Sequence, residues 1–150
     1  MLNADMKVPQ PAGWLGGLGV APFLGLSVAM HFVDDTHRVL VAHALLTYGA
    51  VILSFLGGVH WGLAIQSKGS LTGVQFAARL ILSVLPSLAS WTALLATETT
   101  GLLVLATAIA AILWVDLRTT RAGQAPPWYP RLRIPLTCVV VAALLLGASA

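Results

Sequence analysis

Apolar residues run along this chain in five blocks, and polar residues gather in the gaps between them. The blocks lie at about 13–32, 39–65, 75–96, 99–117 and 134–148, and most offer the roughly 17–25 residues that a helix needs to cross hydrocarbon. The pattern predicts an all-α integral membrane bundle of five transmembrane helices, a single domain over 1–150 with no room for a soluble one. The polar start MLNADMKVPQP has no small-residue cleavage site before the first block, which therefore reads as an uncleaved span. Pro22 and Pro86 fall inside blocks 1 and 3, where a missing N–H and a ring clash favour kinks. No sequence repeat is visible, and an odd number of spans argues against two equal inverted halves.

Composition agrees with the blocks: 58% of residues are hydrophobic and 9% charged. Charge adds the orientation. With five crossings, Lys7, Lys68, Arg79, Arg118, Arg121, Arg131 and Arg133 share one side, and Arg38 alone lies on the other. Basic residues collect on the cytoplasmic side, so the N-terminus is expected there and the C-terminus in the periplasm, in a multi-pass protein of the inner membrane. The net charge of +3 is then a matter of topology, and no nucleic-acid partner is needed to account for it. Basic loops over anionic membrane lipids suffice. Cys138 is alone in the chain, which excludes an internal disulfide or a cysteine metal site.

Small residues suggest how the helices meet. Gly13, Gly17, Ala21, Gly25 and Ala29 recur every four positions in the first span, as do Ala50, Ser54, Gly58 and Gly62 in the second. Each step of four advances a helix by about 400°, so both sets form slowly drifting ridges that let two backbones approach. The expectation is that these ridges face each other. His60, in the run SFLGGVHWGLA at 54–64, lies two residues from Gly58 and so points away from that ridge, toward another helix or a partner protein. Gln66 and Lys68 follow it, so His60 and Trp61 belong near the cytoplasmic interface.

Candidate chemistry is sparse. HFVDDTHR at 31–38 holds His31, Asp34, Asp35 and His37, but a short loop in which Asp35 or Thr36 caps the second helix explains it without a metal. His43 and His60 are separated by roughly 25 Å of helix, too far to clasp one haem within a protomer, and no cofactor is expected. The serines in apolar helices lack an acid–base partner in sequence, and GGLG at 16–19 lacks the lysine and hydroxyl of a phosphate loop. Acids are missing from the middle of the spans, which disfavours a proton relay or ion-coupled transporter. The balance leans away from an enzyme.

The topology does gather one polar cluster. His60 and Trp61 end span 2, Arg79 begins span 3, Asp116 ends span 4, and Trp128, Tyr129 and Arg133 lead into span 5. A buried arginine calls for a carboxylate, so Asp116 should pair with Arg79 or Arg133. The cluster either fastens helix ends or forms a headgroup pocket in which His60 could carry a proton near neutral pH.

The run YGAVILSFLGGVHWGLA at 48–64, PSL at 86–88 and PPWYPRLRIPLT at 126–137, with PFLGL at 22–26, resemble the domain of unknown function 3429, the transmembrane protein 69-like family. The resemblance implies a small multi-pass protein of bacterial inner membranes or, in organellar relatives, of the mitochondrial inner membrane. It implies no activity and no catalytic residue. Two functions follow. The first is an accessory, assembly or scaffolding subunit, packed against other membrane subunits or its own copies beside a larger energy-transducing complex. The second is binding of a lipid-like or quinone-like ligand at the cytoplasmic polar cluster.

Overall fold

The computed structural model describes residues 6–67, 69 and 71–150. Lys68, counted above among the cytoplasmic cations, and the first five residues lie outside the described residues. The described chain forms α1 (Gln10–Ala29), α2 (Asp35–Gln66), α3 (Gly73–Leu95), α4 (Glu98–Arg121) and α5 (Tyr129–Ala148). Each is long and apolar enough to cross a membrane.

Local chemistry sets the helix ends. A proline in the first turn opens α1 and α5, where its missing N–H costs nothing. Asp34, rather than Asp35 or Thr36, caps α2: its backbone is still extended, and its Oδ1 accepts the His37 backbone N–H at 2.9 Å. Thr72 and Gln75 form a reciprocal capping box that starts α3. At the end of α4 the chain reverses through Gly123, with φ +71°, while Gln124 N–H bonds back to Thr119 and Gly123 N–H to Thr120. Only glycine takes that left-handed position without strain, and the closure is a Schellman turn. The fifth helix starts at Tyr129, about a turn earlier than the apolar block at 134–148 implied, because Arg131 and Arg133 are accommodated inside its first turns.

The helices stand as a ring in sequence order, α5 closing against α1, with α2 and α4 also touching across the middle. Phe23, Leu45, Leu53, Leu102, Leu105, Ile109 and Leu144 fill the centre. Tyr48 ties α2 to α1 by donating its hydroxyl to the Gly19 carbonyl at 2.9 Å, and its ring meets Phe23 edge-on. The buried serines are satisfied within their own helices: Ser27, Ser83 and Ser90 donate to Leu24, Leu80 and Pro86 carbonyls.

The expected glycine ridges are not where α1 and α2 meet. A side chain added at Gly17, Gly25, Gly58 or Gly62 would meet nothing within 4 Å. Gly17, Ala21, Gly25, Gly58 and Gly62 are exposed, with Ser54 half-buried. Close approach falls to their neighbours. A Cβ at Gly16 would lie 2.7 Å from Leu136 of α5, and one at Gly57 only 2.5 Å from the Ser83 carbonyl oxygen of α3. Gly49, Gly101 and Gly147 are similarly covered by Leu105, by Leu46 with the Ala93 carbonyl, and by Leu45. The large side chains decide the matter: Val20, Phe23 and Ser27 pull α1 inward along a stripe that contains Gly16, one residue from the stripe of small ones.

Candidate functional site

His60 shares the inward stripe of α2 with Leu53, Leu56, Gly57 and Ala64, three or four residues apart. That stripe turns it toward α4, where Asp116 is only 1% exposed. His60 Nε2 lies 2.8 Å from Asp116 Oδ1, and Arg133 Nε donates to Asp116 Oδ2 at 2.7 Å. Three helices are thus joined through one carboxylate. Between the two candidate arginines, Arg133 takes the acid, and Arg79 has no ion pair among the described residues.

The hydrogen bonds also fix the tautomer of the histidine. A carboxylate beside a guanidinium only accepts, so the hydrogen between His60 and Asp116 sits on Nε2. Neutral His60 then presents Nδ1 as a lone-pair acceptor, and no bond to it is found among the described residues. Arg133 Nη2 and, one turn on, Thr137 Oγ1 are enclosed without partners among the described residues. Removing either partner would leave the other as an unpaired buried charge, at a cost of several kcal/mol.

His60 also forms part of the wall of a half-open groove of about 520 Å³ between α3 and α4, floored by α2. Leu82, Leu85, Pro86 and Ala89 form the α3 wall and Ala108, Ala111, Ile112 and Val115 the α4 wall. The polar end holds Arg79, Arg118 and Gln124. Arg118 stacks its guanidinium 3.7 Å from the centre of the Trp114 ring, one turn back, and like Arg79 has no carboxylate partner among the described residues. The Gln124 side-chain oxygen is enclosed and has no donor among the described residues. The groove is therefore apolar along its length and cationic at one end.

The remaining expected site residues lie apart from this groove. Trp61 is 43% exposed on the outside of α2. Trp128 and Tyr129 pack edge to face with centroids 6.0 Å apart at the start of α5, where Tyr129 neighbours Asp116 and Arg133 and is not part of the groove lining. At the opposite end, His37 bonds Asp34 and His31 Nε2 donates to the Leu146 carbonyl at 3.2 Å. Sequence reasoning passed over Arg118 and Gln124. The four-residue spacing of Trp114 and Arg118 was the available signal for the first, because such pairs stack on a helix surface.

Comparison with known proteins agrees with a membrane-spanning chain. Transmembrane protein 69 of Xenopus tropicalis is 36% identical over 152 residues, covering 96% of this chain and 57% of that protein. The Mus musculus transmembrane protein 69 is 27% identical over 131 residues, covering 87% of this chain and 52% of the relative. The chain thus spans little more than half the length of these relatives. No solved structure matches. The family described as "Protein of unknown function (DUF3429)" matches residues 8–149, and the chain belongs to that family of transmembrane proteins.

Proposed function

We propose that the protein binds a membrane amphiphile, with the hydrophobic tail along the groove between α3 and α4 and the headgroup at the Arg79 and Arg118 end. The observation that carries this reading is the groove itself. Its volume of about 520 Å³ falls within the roughly 300–1,000 Å³ of small-molecule sites, which are largely apolar with a few convergent polar groups. The basic end would face the cytoplasm of a bacterial inner membrane, where anionic lipid is at hand. An accessory subunit of a larger complex makes a different demand, namely a protein partner that stays bound in stoichiometric amount.

The two are separated by native mass spectrometry of protein purified in mild detergent. Wild-type protein is expected to retain a lipid-sized molecule. Ala111→Trp, which fills the groove from α4, should lose it, and Ala110→Trp, exposed on the same helix outside the groove lining, should keep it. Retention by both variants, or recovery of a stoichiometric protein partner with no small molecule, would overturn the binding reading.

A further inference from the structure

We infer that the headgroup bound in this groove is an anionic phosphate diester bearing a free hydroxyl. The inference rests on the binding reading above and adds the chemical class of the ligand. Two kinds of unmet demand meet at the polar end. Arg79 and Arg118 are cations with no carboxylate among the described residues, because the one buried acid, Asp116, is already held by His60 and Arg133. An anion would complement both, and a phosphate presents oxygens to two guanidinium groups at once. The second demand is for hydrogen. On the neutral ring, His60 Nδ1 is an acceptor with no donor found for it among the described residues, and His60 lines the groove. A phosphate diester without a hydroxyl meets the first demand and leaves the second unmet. A quinone, neutral and without a hydroxyl, meets neither, and a quinol meets only the second.

Substitutions at His60 divide its two ring nitrogens. A glutamine amide nitrogen overlies Nε2, so His60→Gln keeps a donor for Asp116 and removes the acceptor at Nδ1. Asparagine reaches only to the Nδ1 position, so His60→Asn keeps an acceptor there and gives up the bond to Asp116. The groove and the bundle are thus addressed separately.

Lipid exchange into purified protein, read by native mass spectrometry, tests the inference with three lipids of identical chains: phosphatidylglycerol, phosphatidylmethanol and phosphatidylcholine. Wild-type protein is expected to bind phosphatidylglycerol most tightly. It should prefer this lipid about two- to tenfold over phosphatidylmethanol, the value of one hydrogen bond, and prefer both anionic lipids over phosphatidylcholine. Arg79→Gln with Arg118→Gln should abolish the preference for anions. His60→Gln should abolish only the preference for the hydroxyl, and His60→Asn should retain it. Equal binding of phosphatidylglycerol and phosphatidylmethanol by wild-type protein would overturn the inference, as would a hydroxyl preference that survives His60→Gln. Displacement of bound lipid by millimolar glycerol phosphate would overturn the lipid assignment in favour of a soluble phosphate. If wild-type protein takes all three lipids equally while Ala111→Trp takes none, the headgroup class fails and the groove stands. If Ala111→Trp binds as wild type does, the groove itself fails.

Discussion

Asp116 is the residue on which the bundle depends most, since it takes hydrogen bonds from two helices while lying on a third. Asp116→Asn removes the negative charge and leaves Arg133 as a buried cation. The expected loss is about 3–5 kcal/mol, read by denaturant unfolding in detergent. His60→Gln keeps a donor for the carboxylate and should cost far less, so the difference between the two variants reports which residue is structural. Equal losses would make the histidine a fastener alone. The acid was legible in the sequence because no other carboxylate belongs to a helix at that end of the molecule. Its partner was not, because Arg79 and Arg133 stand at similar depth on different helices and only the packing of α5 on α4 chooses between them. Asp34 offers a residue-scale test outside the membrane. The His37 backbone N–H, and then its ring, hold the Asp34 carboxyl below its ordinary value. That cap is at full strength above the unfolded value of about 3.9 and is lost as pH falls through the lowered one. Amide protection in the first turn of α2 should drop in that acid range, and Asp34→Ala should show the unprotected turn at every pH.

At the scale of the helix, adjacent glycines set the clearest test. Gly57→Ala would press a methyl against the Ser83 carbonyl oxygen, a backbone atom that cannot rotate away. A loss of about 1–3 kcal/mol is expected, as for other overpacked sites. Gly58→Leu and Gly17→Leu extend into open space and should leave folded yield and thermal stability near wild type. The reverse order would restore the ridge contact that a count of four residues suggested. That count could identify which helices carry small faces, but Gly16–Gly17 and Gly57–Gly58 each offer two choices about 100° apart. The choice is made by bulky neighbours whose partners are remote in sequence. Pro86 was legible as an interruption of α3; that its ring rests on Gly57, within 3.4 Å of an added Cβ, depends on the register of two helices and was not.

For the whole molecule, five apolar blocks gave the helices directly, and the errors were confined to ends, most of all at α5. The groove left no mark in the sequence, since it depends on how far α3 and α4 stand apart over their basic halves. Charge predicts the orientation: a reporter fused after Ala150 should be active only in the periplasm, and one inserted beside Gly123 only in the cytoplasm. The opposite pattern would invert the proposed access of the groove.

The shared carboxylate also bears on how the protein is made. Asp116 meets a cation 17 positions further along the chain, and that cation arrives one helix later, on α5. A chain without α5 leaves Asp116 with the His60 bond and without the guanidinium that shares it in the folded bundle. The chain remains provisional at that stage. In the folded chain α5 both brings Arg133 to the carboxylate and closes the ring against α1, so one helix carries both contacts. A nascent protein stalled before Tyr129 should be retained by the insertion machinery or cleared by membrane proteases, and one carrying Arg133→Leu should share that fate at full length.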